Sequence, residues 1–344
     1  MKLVVQIPCL NEEHTLPLVL TSIPRHIAGV DEIDIVVIDD GSTDRTSAVA
    51  RDLGVRHIVR HTRTQGLGRS FHDGVQAALE LGADILVTTD GDNQYPQARI
   101  ADLVAPILAG EADIVIADRQ VHLVEHFSRT KIALQKLGSK IVSLAAGTHV
   151  PDAASGFRAY SRESLLLLNT VSRFSYCTET VIQAGNKKLA VASVPVRVNP
   201  KTRESRLFTS TRQHVVRSAC AIVRAFIMYK PYMIFSSLAL VLATSGIIPF
   251  IRWGIIEAVA TRPGTHLESI VVGAVLLIVG FLSLILGVVA DLVRTNRTLL
   301  EDNLEHMKRL RYGGPSLVSA YDVSQLGLAV APRFDGLEVA SRAS

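Results

Sequence analysis

In the stretch TTDGDNQYP, Thr88 to Pro96, two carboxylates stand one residue apart just after the apolar run Ile85-Leu86-Val87. Asp90 and Asp92, at i and i+2, repel each other unless a cation or hydrogen-bond donors lie between them. Magnesium or manganese suits such oxygen ligands, because these ions keep several waters and complete their shell with a substrate's phosphates. Gln94 offers a further neutral oxygen. A calcium loop begins similarly at Asp90, Asp92 and Gln94, but it requires glycine where Tyr95 stands and a bidentate glutamate where Ala101 stands. The remaining alternative is structural: carboxylates that cap a helix starting near Pro96.

Two more polar signatures follow apolar runs in the same way, Asn11-Glu12-Glu13 after Leu3–Ile7 and Asp39-Asp40-Gly41-Ser42 after Asp34–Ile38. A carboxylate at a strand end accepts hydrogen bonds from a ribose or nucleobase; taken alone, the second signature is a common turn with a helix cap. Gly66-Leu67-Gly68 has Phe71 where a dinucleotide fingerprint needs its third glycine, so it reads as a place where backbone approaches a ligand or a strand. His122-Leu123-Val124-Glu125-His126 spells an inverted zinc-protease pattern, but no further ligand or helical periodicity supports it, and a polar loop is expected. His57 and His61 are expected at the surface. Cys9, Cys177 and Cys220 are odd in number, scattered and outside metal spacing, which reads as reduced and structural.

The elements that must carry these groups are legible as alternation. Strand-length apolar runs at Leu3–Ile7, Asp34–Ile38, Val55–Val59, Ile85–Val87 and Asp113–Ala117 alternate with segments of 3.6-residue periodicity, predicting an α/β domain with a mostly parallel sheet and helices on both faces. Ligands bind beyond the carboxyl ends of strands in such sheets, so one cleft would collect all three acidic signatures. Residues 118–210 read as loops, helices and one further strand around Leu189–Val198.

The chain of 344 residues, 48% hydrophobic, can bury a large core and still has apolar sequence to spare. Met233–Ile251 and Ile270–Ala290 run 19 and 21 residues without a charge, each enough to cross a bilayer core of about 30 Å as a helix. Two buried helices of a soluble protein would show a polar face instead. Arg212, Arg217, Arg224 and Lys230 precede the first segment, and Arg294 and Arg297 follow the second, which predicts that both ends are cytoplasmic. The Lys2–Pro8 start is too short for a signal peptide. The net charge of +4 is modest, but Arg197, Lys201, Arg203, Arg206, Arg212 and Arg217 crowd the approach to the membrane and suit anionic headgroups. Without interleaved aromatics they do not read as a nucleic-acid site. Gly273, Gly280 and Gly287 form a stripe suited to close helix contact, within the hairpin or between subunits of a homo-oligomer, unless they are the ordinary glycines of lipid-facing helices. Leu292, Leu299, Leu300, Met307 and Leu310 line a helix expected to lie along a surface, with a loose tail from Gly313.

Taken in order, Pro8-Cys9-Leu10-Asn11-Glu12-Glu13, Ile38-Asp39-Asp40-Gly41-Ser42, Gly66-Leu67-Gly68, Asp90-Gly91-Asp92, Asp152-Ala153-Ala154-Ser155-Gly156-Phe157-Arg158 and Arg203-Glu204-Ser205-Arg206-Leu207 resemble the motif series of family 2 glycosyltransferases, and more narrowly polyprenyl-phosphate glycosyltransferases of the dolichyl-phosphate mannose synthase type. The resemblance covers residues 1 to about 230 and extends to the trailing hairpin. It implies a GT-A nucleotide-diphospho-sugar transferase fold, a GDP- or UDP-sugar donor, Mg2+ or Mn2+, and inverting transfer of one sugar to a dolichyl or undecaprenyl phosphate at the cytoplasmic face of the membrane. Carried over by position, Pro8, Glu12, Asp39 and Asp40 would hold the nucleoside, Asp90 the donor, and Asp92 with Gln94 the metal, alongside Asp90. Arg119, Lys131 and Arg203 would face the acceptor phosphate, and Asp152, Ser155 and Arg158 would shape the acceptor loop. Two positions depart from the family: Leu10 replaces a tyrosine in the first motif, and Lys131 replaces an arginine, with Arg129 near enough to substitute. Arginine grips phosphate bidentately and lysine does not.

The implied organisation is a cytosolic domain over 1–210, a juxtamembrane amphipathic helix over 211–231, two transmembrane helices at about 232–252 and 269–291, and a cytosolic helix with tail over 294–344. A processive polysaccharide synthase would carry further membrane helices and a Q-x-x-R-W-type motif, which this sequence lacks. A non-catalytic scaffold would be expected to lose Asp90, Asp92 or Arg203, which are intact.

Overall fold

The computed structural model describes residues 1–121, 129–170, 176–200, 231–259 and 267–312, with 129–131 and 259 as backbone only. A seven-stranded sheet organises the first two hundred residues: β1 (Lys2–Cys9), β2 (Glu32–Asp39), β3 (His57–Arg60), β4 (Ile85–Thr88), β5 (Ile114–Asp118), β6 (Arg158–Ser161) and β7 (Val191–Pro195), in spatial order β3-β2-β1-β4-β6-β5-β7. β1 to β4 are mutually parallel, β5 and β7 are parallel, and β6 lies antiparallel between β4 and β5. The expected α/β architecture is therefore present, with the short strand β6 as an addition. Its sequence, Arg-Ala-Tyr-Ser, is too brief for periodicity to reveal and carries an arginine that reads as loop.

Alternation along the strands sorts the core into two layers. Val4, Val36, Ile38, Leu86, Ile114, Ile116 and Tyr160 face one side, where α3 (Leu67–Glu80), α5 (Arg129–Ala146), α6 (Arg162–Leu167) and α7 (Cys177–Asn186) cover them. Leu3, Val5, Ile7, Val37, Val87, Val115 and Ala159 face the other, against α1 (Leu16–Ser22), α2 (Thr46–Asp52) and α4 (Ile100–Leu108). Because side chains point to opposite faces at successive positions, central strands buried on both faces become continuous apolar runs. Their carboxyl ends converge on one edge, carrying Asn11, Asp39-Asp40 and Asp90 into a common neighbourhood.

Two long apolar helices follow, α8 (Pro231–Val259) and α9 (Leu267–Tyr312). Both are long and apolar enough to cross a membrane. They pack on each other, and their outward apolar side chains, among them Leu240, Ile248, Phe281 and Leu286, are exposed rather than covered by the domain. The glycine stripe is spent inside this hairpin: a methyl added at Gly273 would come within 2.7 Å of Phe250, one at Gly280 within 3.3 Å of Ala239 O, and one at Gly287 within 3.0 Å of Phe235. The second helix does not stop at the end of its apolar stretch. It runs on as one element to Tyr312, so Leu292, Leu299, Leu300, Met307 and Leu310 belong to a continuation of the apolar helix, and each is exposed.

Candidate active site

The first two acidic loops are locked into each other. Asn11, at φ 57°, takes a left-handed conformation that asparagine tolerates, and this turns the chain after β1 toward the loop after β2. There Asn11 N donates to Ser42 Oγ at 2.9 Å, Thr43 N to Asn11 Oδ1 at 2.8 Å, Glu12 N to Thr46 Oγ1 at 2.8 Å and Arg45 N to Glu13 Oε2 at 3.0 Å. Glu12 is buried, and its Oε2 accepts from Thr15 Oγ1 at 2.6 Å. Pro8 is half-buried at the end of β1, beneath the same loops.

Asp39 and Asp40 are engaged by the protein itself. Asp39 accepts from Ser42 N at 2.7 Å and from Ser47 Oγ, with the Arg60 guanidinium 3.5 Å away. Asp40 accepts from Gln65 N at 2.8 Å and Gly66 N at 2.9 Å, which pins the Gly66 loop against the end of β2. His61 is not at the surface. It is buried with Nδ1 2.7 Å from Asp40 and Nε2 2.9 Å from Asp73, and Asp73 is also paired with Arg69 at 2.8 Å. One isolated histidine reads as solvent-facing because its two carboxylate partners lie 21 and 12 residues away in the chain.

The third acidic loop closes over the first. A methyl group at Gly91 would stand 2.9 Å from Cys9 Sγ, 3.3 Å from Glu12 Cγ and 3.4 Å from Pro8 O, so only glycine lets the Asp90–Asp92 turn come this close. Burial pushes the Cys9 thiol well above its ordinary range, keeping it a protonated packing group. Asp92 Oδ1 accepts from Gln94 N at 3.1 Å and Asp92 Oδ2 from Gln94 Nε2 at 2.7 Å. Gln94 thus meets Asp92 through its amide nitrogen and orients that carboxylate. Asn199, just beyond β7, clasps the same turn, donating from N to Gln94 O at 2.8 Å and from Nδ2 to Asn93 O at 3.0 Å. Nothing in its sequence neighbourhood marks Asn199 for that role.

Opposite lies the loop Asp152–Gly156, entering β6. A methyl at Gly156 would come within 3.3 and 3.4 Å of the two Asp90 carboxylate oxygens, which places this loop directly against the acidic turn. Tyr95 ties them together: its OH accepts from Gly156 N at 3.1 Å and its ring stacks on Phe157 with centroids 5.1 Å apart. Burial pushes the Tyr95 phenol far up, so it remains neutral. On the far side, Tyr176 stacks on Phe71 at 4.0 Å and donates to Gly156 O at 3.1 Å, which also accepts from Thr88 Oγ1 at 2.7 Å.

Arg119 and Asp152, both singled out from sequence, form a bidentate pair at 2.6 and 2.9 Å, and Gln135 Nε2 adds a longer contact of 3.3 Å. Burial raises the Asp152 carboxyl, but the Arg119 charge and hydrogen bonds outweigh it and hold the group below the ordinary carboxylate range. Arg158 is wholly buried rather than lining the cleft. Its guanidinium donates to Ser155 O at 2.7 Å, Ala153 O at 2.8 Å, and Cys177 O and Thr180 Oγ1 at 2.9 Å each. It braces the loop from beneath, a use of arginine's fixed fork that the spacing alone does not distinguish from ligand binding. Ser155 Oγ is buried and lacks a hydrogen-bond partner among the described residues. The side chains of Arg129 and Lys131, residue Arg203, the segment His122–His126 and Cys220 lie outside the described residues.

Among the described residues, no group of three or more His, Cys, Asp and Glu side chains forms a metal cluster. Two carboxylates with oxygen donors only nevertheless fit a hard divalent cation that takes one or two carboxylates from the protein and the rest from phosphates and water. Asp90 and Asp92, the latter held by Gln94, would be that donor set.

Residues 4–167 match the family described as glycosyl transferase family 2. A UDP-N-acetylglucosamine–dolichyl-phosphate N-acetylglucosaminyltransferase of Methanococcus voltae is 29% identical over 214 residues, 56% of this chain and 83% of that protein. The polyprenol monophosphomannose synthase of Mycolicibacterium smegmatis is 30% identical over 201 residues, 55% of this chain and 74% of that one. Among solved structures, glucosyl-3-phosphoglycerate synthase from Mycobacterium tuberculosis in complex with UDP superposes with a TM-score of 0.51 at 24% identity, over 66% of this chain and 79% of that chain, a likeness of fold. With the motifs from Pro8 to Arg158 linked by direct contacts at one sheet edge and these relatives matched over most of their own length, the chain belongs to glycosyl transferase family 2 and is a glycosyltransferase.

Proposed function

We propose that this enzyme transfers a single sugar, with inversion, from a nucleotide-sugar donor to a polyprenyl phosphate at the cytoplasmic face of the membrane. The observation that carries the reading is the contact between Asp90 and Gly156, which joins the acidic donor turn to the loop clamped by Arg119. The names of the relatives, dolichyl-phosphate and polyprenol-phosphate transferases, support a lipid phosphate as acceptor. So does α5, which exposes Leu134, Leu137 and Leu144 beside Lys136 and Lys140 while its inner face holds the acceptor loop through Gln135 and Ser139. Apolar side chains flanked by lysines suit a lipid headgroup plane.

In this reading Pro8, Glu12, Asp39 and Asp40 shape the nucleoside pocket, the last two chiefly by fixing the Ser42 and Gly66 loops. Asp90 and Asp92 would hold Mg2+ or Mn2+, which when bound neutralises the departing diphosphate. The attacking group is a phosphate monoester whose second pKa is near 6, so it is largely dianionic at neutral pH and needs no strong general base. Its oxygen forms the new bond to the anomeric carbon as the bond to the nucleoside diphosphate breaks. Arg119, steered by Asp152, and the basic residues Arg129, Lys131 and Arg203 would hold that second anion near the first. Ser155 would direct its hydroxyl to the acceptor side.

Membranes containing the full chain, given a panel of radiolabelled nucleotide sugars and Mn2+, should form labelled lipid only when polyprenyl phosphate is supplied. Equal labelling with unphosphorylated polyprenol, or none with any donor, contradicts the assignment.

A further inference from the structure

The cytosolic half of α9 is docked along the catalytic domain rather than trailing from the membrane. Arg297 lies 3.6 Å from Glu179 of α7 and 2.6 Å from Glu301. Farther along, Glu305 meets Lys187 at 3.8 Å, and Lys308 Nζ donates to carbonyls at the end of α6, Leu165 O at 3.2 Å and Leu168 O at 2.7 Å. Arg309 pairs with Glu163, Arg311 with Glu80 at 2.7 Å, and Arg162 caps the last carbonyl of the helix, Tyr312 O.

These contacts have a direction. Glu80 and Arg162 sit where the strands begin, Arg162 also donating to Ala83 O at 2.9 Å just before β4. Glu179 sits two residues after Cys177 and one before Thr180, the α7 groups that hold Arg158 and, through it, the acceptor loop. The docked part of α9 nearest the membrane therefore lies beside the start of α7, which holds the acceptor loop through Arg158, and its far end beside the amino ends of the strands. At 1.5 Å per residue, Arg297 stands about 10 Å beyond Ala290, the last residue of the uncharged run. That is a headgroup-scale distance.

Resting on the lipid-phosphate reading, we propose that α9 is a measuring strut. One uninterrupted helix fixes the height and tilt of the acceptor loop above the bilayer, with Arg297 and Glu179 as positioning residues at the point where the strut meets α7, the helix that holds the loop through Arg158. A helix is stiff along its axis, so a shift at its membrane end is transmitted to the domain without needing a contact to the substrate.

The test lengthens the strut without touching its docking contacts. Seven alanines inserted between Val293 and Arg294 add about two turns, close to 10 Å, and nearly restore helical phase. In proteoliposomes, a fluorophore on Ala154→Cys in the exposed part of the acceptor loop should move away from headgroup acceptors by roughly that length. Transfer to long-chain polyprenyl phosphate in vesicles should fall at least tenfold, whereas transfer to a short, water-soluble prenyl phosphate stays within twofold of the parent. Glu179→Arg or Arg297→Glu alone should raise KM for the bilayer acceptor several-fold at unchanged kcat, and the double exchange should recover most of it. An unchanged fluorophore distance, or equal effects on both acceptors, overturns the strut. Failure of the parent enzyme with both acceptors would instead count against the acceptor assignment, with the distance measurement still deciding the strut.

Discussion

The Arg119 guanidinium grips the Asp152 carboxylate through two parallel hydrogen bonds, Nε to Oδ2 at 2.6 Å and Nη2 to Oδ1 at 2.9 Å, while Arg119 N reaches the same carboxylate at 3.3 Å. The clamp ties the end of β5 to the acceptor loop and leaves Nη1 outside it. Asp152 is 2% exposed and the Arg119 side chain 19%, so Asp152→Ala strands a mostly buried guanidinium and should cost up to about 3–5 kcal/mol of stability. Arg119→Lys keeps the charge but loses the fork, and kcat/KM should fall by more than stability does. Chemical unfolding and steady-state kinetics on the two variants check this; a fully stable Asp152→Ala would show that the clamp does not hold the loop.

The pH dependence follows from the same pair. The folded carboxyl lies below the ordinary aspartate value of about 3.9, so the clamp's contribution is fully present above that value and is lost only as pH falls through the lower folded one. On the lipid-phosphate reading, a decline in kcat/KM between pH 7 and 5 is expected from the acceptor phosphate, with an apparent pKa near 6. Replacing the acceptor by an analogue of lower second pKa should move that limb down, whereas Asp152→Asn should leave its position unchanged.

Asp92→Ala removes half of the carboxylate pair at the acidic turn. Activity should vanish, thermal unfolding should change little because Asp92 is only half-buried, and Mn2+ should no longer restore activity after chelation, as it should in the parent. Gln94→Leu frees the Asp92 carboxylate from its 2.7 Å donor and should raise the Mn2+ concentration needed for half-activity without abolishing turnover. Full activity of Asp92→Ala would remove the metal from the account.

Tyr95→Phe takes away the hydroxyl oxygen that accepts from a buried backbone group, Gly156 N, and should cost about 1–3 kcal/mol. Gly156→Ala is different. Its methyl crowds Asp90 at 3.3 Å in a loop with no slack, and it should lower kcat/KM at least tenfold with a smaller effect on stability. Equal losses of activity and stability in both variants would make this contact structural alone.

How much of this was readable beforehand depended on whether the information was local. The two acidic loops and the turn at Asp90 are contiguous motifs at strand ends, and the strand runs are apolar enough to declare themselves. The roles of Asp40 and Arg158 were not legible, because a carboxylate that binds a ligand and one that pins Gly66 have the same spacing, and burial of an arginine is decided by Cys177 and Thr180 on a distant helix. The partners of His61 and Asn199 are hidden from the sequence for the same reason. The stripe from Leu292 to Leu310 is legible in the sequence, but that its helix continues unbroken from the apolar segment and docks by ion pairs depends on partners as far away as Glu80.

The most direct measurement is the product itself. Purified full chain in proteoliposomes, supplied with its radiolabelled nucleotide sugar and polyprenyl phosphate, should yield a lipid carrying one sugar per phosphate with the anomeric configuration inverted, and Asp90→Asn should abolish it without unfolding the chain. A lipid bearing several sugars, retained configuration, or undiminished transfer by Asp90→Asn would contradict the account.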